Sequence, residues 1–238
     1  MEVLRKGCRE LGILLSEKQE QQFMKYYQLL LEWNQRVNLT SITAYEDVIN
    51  KHFLDSLCLV KIPDVIGGTK KKVIDVGTGA GFPGIPLKII FPEIKLTLLD
   101  SLNKRINFLN ILVEELELDN VTAIHGRAEE LGKSKEYREV FDLCVSRAVA
   151  HLSVLSEYCI PLVKVKGDFI PYKSGNVQEE LEEAQGAVKL LGGCVRDKID
   201  FTVPNSDMSR SLIRIEKKYA TPGKYPRKSG TPEKSPLV

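Results

Sequence analysis

The sequence predicts an α/β protein: a mostly parallel, seven-stranded sheet with helices on both faces, preceded by an N-terminal helical extension. Three observations predict it. Beyond Gly67-Gly68, short β-rich runs alternate with helical stretches, and repeated β-α units with apolar strands build parallel sheets covered on both sides. Before that point, apolar residues recur at helical spacing. The first β-rich run passes straight into a glycine-rich turn, Gly77-Thr-Gly-Ala-Gly-Phe-Pro-Gly84, and open sheets bind ligands at the carboxyl ends of their strands.

The elements follow in order. Ser16 and Gln19 form a capping box. Behind it Phe23, Tyr26, Leu30, Trp33 and Val37 alternate spacings of three and four, which marks a core-facing stripe. A second helix is expected over Glu46 to Val60, where His52 and Asp55 lie one turn apart and can form a structural hydrogen-bonded pair. Strands are expected over 72–76, 95–99, 121–125, 141–146, 167–172, 195–203 and 212–217. Helices are expected over about 85–91, 103–117, 129–137, 152–163 and 177–191. The chain thus divides into a helical extension (1–66), an α/β core (67–218) and a Pro-rich arm (219–238).

Composition excludes several classes. With 238 residues, 43% hydrophobic and 28% charged, the chain reads as a soluble globular protein able to bury roughly 70% of its unfolded surface without disulfide staples. No apolar run reaches the ~18 residues of a membrane span, and Met1–Cys8 lacks the apolar stretch of a signal peptide. The five cysteines include no C-x-x-C pair and the three histidines lie far apart, so no metal site is expected and a cytoplasmic location is; a monomer is the default expectation. Net charge is only +2, yet seven basic residues lie between Arg214 and Val238 against Glu216 and Glu233. That end reads either as a solvated tail or as a phosphate-contacting arm.

The glycine turn has two spellings. Gly79, Gly81 and Gly84 give G-x-G-x-x-G, the dinucleotide fingerprint, while Gly77, Gly79 and Gly81 give G-x-G-x-G. The second is favoured. Asp75 lies inside the first strand, where dinucleotide sites prefer an apolar residue, and Phe82-Pro83 crowds the helix N-terminus that a phosphate would need. A second acid, Asp100, closes the next strand, where it can accept ribose hydroxyls or cap the following helix. Arg127-Ala-Glu-Glu130 follows the third strand and offers polar groups to an adenine. Acid, glycine turn, acid and polar turn suit a cationic nucleoside without phosphates, S-adenosylmethionine.

The chain resembles the small-subunit ribosomal RNA guanine-N7 methyltransferases, also called glucose-inhibited division protein B, over essentially its full length. The resemblance rests on Leu31-Glu-Trp-Asn34 with Asn38-Leu-Thr40, His52-Phe-Leu-Asp-Ser56, Asp75 to Gly84, Leu99-Asp-Ser-Leu-Asn-Lys-Arg105, Arg127-Ala-Glu129, Ser146-Arg-Ala-Val-Ala150 and Tyr225-Pro-Arg-Lys-x-Gly-Thr-Pro232. It implies a Rossmann-like class I methyltransferase acting on guanine N7 in the 530 loop of 16S rRNA, with the small ribosomal subunit as partner. Carried over by position, Gly77 and Phe82 line the cofactor site, Ala128 and Glu129 meet its adenosine end, and Arg147 lies in the pocket.

The fourth strand agrees with that chemistry. It ends in Ser146-Arg147-Ala148, with neither the Asn/Asp-Pro-Pro-aromatic run of amine methylation nor a Pro-Cys nucleophile. Cys144 lies within the strand and is expected to be buried. Guanine N7 needs no general base, so Arg147 is expected to orient the guanine O6 face or the cofactor carboxylate, unless it pairs with Asp142 or Glu157. Lys104, Arg105, Lys173, Lys224, Arg227 and Lys228 are the candidates for gripping the RNA backbone. The competing expectations are an NAD-linked oxidoreductase and a non-catalytic ribosome-associated RNA-binding module.

Overall fold

A computed structural model describes residues 1–67, 70–147, 150–175 and 177–238. Gly68, and Ala148 and Val149 of the Ser146–Ala150 motif, lie outside them. The extension begins with α1 (Glu2–Glu10) and α2 (Glu17–Val37). The capping box is formed: Gln19 N–H donates to Ser16 Oγ at 3.3 Å, and Ser16 N–H to Gln19 Oε1 at 2.9 Å. Phe23, Tyr26, Leu30 and Val37 are buried, and Trp33 packs at the core's edge against Phe108. The expected helix over Glu46 to Val60 is broken into α3 (Tyr45–Val48), a π turn (Ile49–Leu54), α4 (Asp55–Leu57) and a 3-10 turn (Cys58–Lys61). π turns occur disproportionately at functional sites, and this one carries Lys51 and His52.

The core is a seven-stranded sheet in the order β3-β2-β1-β4-β5-β7-β6. It comprises β1 (Lys72–Val76), β2 (Lys95–Asp100), β3 (Val121–His125), β4 (Phe141–Arg147), β5 (Val163–Ser174), β6 (Gly193–Thr202) and β7 (Ser209–Lys217). All neighbours run parallel except β7, which is antiparallel to β5 and β6. Strand residues alternate between two cores, as the period of two requires. Val73, Leu98 and Leu143 face α1, α2, α5 (Gly84–Ile90) and α6 (Asn103–Glu115), while Ile74, Leu99 and Cys144 face α8 (Leu152–Cys159) and α9 (Gln178–Leu190). Chain order reverses between β1 and β4, so the ligand crevice of this topology lies above their carboxyl ends.

Several boundaries depart from the sequence reading. The helix expected over 129–137 shrinks to α7 (Ala128–Leu131), and Gly132 behind it lies against the ring of Pro226, which a Cβ there would approach to 2.9 Å. The helix expected over 152–163 ends at Cys159, with Pro161 in a 3-10 turn, so β5 starts at Val163 rather than near Gly167. The arm is packed rather than loose. Tyr225 is buried, and a short α10 (Thr231–Lys234) follows.

Candidate functional site

The glycine turn is a backbone cradle. Gly77, Gly79 and Gly81 all have positive φ, at 71°, 61° and 103°, a conformation that favours glycine. Gly84 does not share it; a Cβ there would come within 2.7 Å of Leu98 and 2.9 Å of Asp75. Gly77, Gly79 and Gly81 thus share the turn conformation, while Gly84 serves helix–strand packing. The cradle is tied from both sides. Gly77 and Thr78 N–H groups donate to Leu99 O at 2.9 and 3.1 Å, and Gly79 N–H donates to Asp100 Oδ2 at 2.9 Å. Beneath it, Asp75 Oδ2 accepts from Thr78 Oγ1 at 2.7 Å and Gly84 N–H at 2.8 Å. Asp75 Oδ1 is buried without a partner. Burial pushes this carboxyl up to about 7 against the pull of those two hydrogen bonds.

One cleft opens beside the cradle, walled by Gly77, Asp100, Ser101, Arg127, Ala128, Glu129 and Tyr158. Asp100 accepts from Leu102 N–H at 2.9 Å in the turn ahead of α6, which has no side-chain cap, and also holds Gly79 and Arg105. Three donors leave about one of its lone-pair sites for a hydroxyl. Glu129 Oε1 accepts from Gly230 N–H of the arm at 3.0 Å. Two carboxylates in the wall repel a pyrophosphate and suit hydroxyls, an amino-purine edge and a nearby cation. A sulfonium nucleoside fits this set of groups. Asp75 and Phe82, expected as cofactor contacts, lie elsewhere. Asp75 supports the cradle from beneath. The Phe82 ring is buried between Tyr26 (5.2 Å, stacked) and His52 (4.5 Å, stacked), because the extension helices offer it an apolar slot.

Across the β1–β4 switch point, where Ser146 Oγ donates to Val76 O at 2.7 Å, lies a second pocket of about 390 Å³. Its walls include Lys51, His52, Asp55, Arg147, Tyr172, Lys173, Glu180 and Arg210. Arg147 is held over the Phe82 ring, 5.1 Å from its centroid. Its Nη1 donates to Asp55 Oδ2 at 2.8 Å and Lys51 O at 3.1 Å, and its Nη2 to His52 Nδ1 at 3.2 Å. Asp55 also accepts from Arg210 Nε at 3.2 Å. The expected His52–Asp55 pair is thus replaced by a shared grip on Arg147, whose acid partner is Asp55 and neither Asp142 nor Glu157. His52 Nδ1 accepts, so Nε2–H donates to Thr40 Oγ1 at 2.8 Å. Burial, then the neighbouring Arg147 charge, push His52 down to about 3, and it is neutral at ordinary pH. Sequence reasoning missed Lys51, Glu180 and Arg210; only Lys51 adjoined a motif.

The basic candidates separate by partner. Lys104, Lys224 and Lys228 are exposed, with Lys224 5.1 Å from the Tyr225 ring centroid. Arg105 pairs with Asp100 at 3.2 Å, and Lys173 with Glu180 at 2.5 Å. Arg227, expected on RNA, is committed inward: its guanidinium and its backbone N–H bind the fully buried Glu157. Among the described residues no cluster of His, Cys, Asp and Glu is arranged to hold a metal ion, and no helix is long and apolar enough to cross a membrane.

Comparison with known proteins gives the same frame. The family described as GidB, rRNA small subunit methyltransferase G, matches residues 19–205. Proteins named Ribosomal RNA small subunit methyltransferase G from Lachnoclostridium phytofermentans and Staphylococcus saprophyticus are 55% and 56% identical, covering 98% and 95% of this chain and 95% and 94% of theirs. Among solved structures, M. jannaschii TYW2 in complex with AdoMet is similar with a TM-score of 0.55 at 14% identity, over 74% of this chain and 79% of that one. A 16S rRNA (adenine(1408)-N(1))-methyltransferase from Catenulisporales acidiphilia gives 0.53 at 12% identity, over 65% and 88%. These two likenesses establish the Rossmann-like methyltransferase fold. With a family match over most of its length and relatives more than half identical along nearly all of it, the chain belongs to the rRNA small subunit methyltransferase G family.

Proposed function

We propose that the protein is a cytoplasmic, monomeric enzyme that transfers a methyl group from S-adenosylmethionine to N7 of a guanine in the 530 loop of 16S rRNA within the small ribosomal subunit. One observation carries this reading: an acid-walled cleft beside the glycine cradle and a basic pocket joined to it through the Phe82 ring lie on either side of the β1–β4 switch point. The bound cofactor supplies an electrophilic methyl group on a sulfonium centre. Gly77, Gly79 and Gly81 allow close backbone approach, while Asp100, Ala128 and Glu129 wall the nucleoside end.

The basic pocket suits a base that attacks without losing a proton. Its histidine is neutral, and the His52 Nδ1 lone pair is already taken by Arg147. No free base is needed, because N7 carries an in-plane lone pair. Three of the five N–H donors of Arg147 are engaged. The two left over suit guanine O6 or the cofactor carboxylate. They must not take N7 itself, since a hydrogen bond there would occupy the attacking pair. Rate then comes from alignment and exclusion of water. Lys104, Lys224 and Lys228 supply exposed charge for the RNA backbone, which makes binding salt-sensitive.

The test is methyl transfer to small subunits that lack the modification, mapped by chemical cleavage at N7-methylguanine. Arg147→Ala is expected to lower kcat/KM roughly tenfold or more, with S-adenosylhomocysteine, and not NAD, raising the Tm of both proteins. Transfer that maps to another atom, or a variant within twofold of the parent, overturns the assignment.

A further inference from the structure

We propose that Glu180 reads the Watson–Crick edge of the target guanine and so adds to the base specificity of the transfer. The proposal rests on the guanine-N7 reading above. N7 has to stay free for attack. O6 accepts from the pocket's cations where adenine's 6-amino group cannot, which gives one point of discrimination. The Watson–Crick edge offers a second: guanine presents the N1–H and 2-amino donors where adenine presents an unprotonated N1. A reader of that edge must be an acceptor, and a carboxylate is the strongest one available.

The basic pocket contains two carboxylates, Asp55 and Glu180. Asp55 is spent: Arg147 takes one oxygen and Arg210 the other, and the side chain is 3% exposed. Glu180 is half spent. Its Oε1 accepts from Leu152 N–H and from Lys173 Nζ, each at 2.5 Å. Its Oε2 has no donor among the described residues, and the side chain is 20% exposed within the pocket wall. The acid is thus fixed through one oxygen, by the start of α8 and the end of β5, and offers the other. Its place in the first turn of α9 favours the negative charge. A carboxylate oriented in this way is the element of the pocket able to read the donors of the Watson–Crick edge.

The experiment uses reconstituted small subunits carrying guanine, adenine, inosine or 7-deazaguanine at the methylated position, with the full-length enzyme. In Glu180→Gln the amide oxygen keeps the hold on Leu152 and Lys173, while the amide NH2 confronts N1–H. The guanine-over-adenine preference in kcat/KM is expected to fall about tenfold or more, with S-adenosylhomocysteine affinity unchanged. A preference that stays within twofold of the parent's overturns the proposal. A ratio of two substrates on one variant is insensitive to partial loss of folded protein. The unmutated enzyme gives an independent reading: inosine, lacking the 2-amino group, is expected to react about fivefold or more slowly than guanine, and equality within twofold overturns the proposal as well. Methylation of the 7-deazaguanine substrate would instead refute the N7 reading itself.

Discussion

Asp75 is fully buried, and burial outweighs the hydrogen bonds from Thr78 and Gly84 to push its carboxyl up to about 7 from a free value of 3.8. Between those two values the folded protein keeps a proton that the unfolded chain has released. Stability therefore falls as pH rises through that window, and the cost is complete above the folded value. Asparagine has no proton to lose, and its oxygen can still accept from Thr78 and Gly84. Urea unfolding at pH 5 and pH 8 should show the parent losing about 2 kcal/mol more than Asp75→Asn. Equal pH dependence in both proteins would assign the cost elsewhere. The presence of an acid two residues before the glycines was legible in the sequence, because strand and turn are contiguous there. Its burial with one orphaned oxygen was not, since that depends on α5 folding back over β1. The same limit explains Arg147. Its position at the end of β4 followed from local pattern, whereas its partner Asp55 comes from a helix ninety-two positions earlier and leaves no trace near Arg147 in the chain.

Helix α2 shows what periodicity can and cannot tell. Spacing identified Tyr26 as one member of a core stripe, and it is fully buried. Spacing names a face and not a partner. The Tyr26 hydroxyl crosses to the glycine cradle and donates to Ala80 O at 2.6 Å, while Gly81 lies so near that a Cβ would meet that hydroxyl at 2.8 Å. The extension is thereby a support for the glycine cradle as well as a cover for the sheet. Tyr26→Phe keeps the ring stack on Phe82 and the tilted contact with Phe53 and removes only the donor. It should cost about 1–2 kcal/mol in denaturant unfolding, the cost of leaving a buried acceptor unmade, and weaken S-adenosylhomocysteine binding measured by calorimetry. A stability loss with unchanged affinity would show that the bond serves the fold alone. The π turn was equally hidden: the apolar spacing over 46–60 fits a continuous helix. Only the structure shows that this stretch presents Lys51 O and His52 Nδ1 together to Arg147.

At the scale of the whole molecule, β-α alternation made the sheet and its ligand-binding edge legible, but composition left the arm open. Four prolines and a run of basic residues after position 219 fit either a solvated tail or a phosphate-contacting arm, and the arm is fastened to the core beside the acid-walled cleft. Arg138 donates to Thr221 O and Tyr225 O at 2.6 and 2.7 Å, Gly230 N–H reaches Glu129, and Arg227 grips Glu157. Glu157 is 0% exposed, so its charge depends on that guanidinium. Arg227→Met should destabilise the protein by about 3–5 kcal/mol, because an uncompensated carboxylate stays buried. Adding Glu157→Met should recover most of the loss, since well-packed apolar groups often replace a buried pair at little cost. Denaturant unfolding of the single and double variants checks both statements, and a double variant as unstable as the single would mean that Glu157 is not the group left stranded. The double variant also separates anchoring from RNA binding. If Arg227 only fastens the arm, small-subunit binding by that protein should keep the parent's salt dependence. If Arg227 instead touches a phosphate, its removal should lower the slope by about one unit. The first result assigns the arm's grip on RNA to the exposed Lys224 and Lys228, and the second assigns it to Arg227.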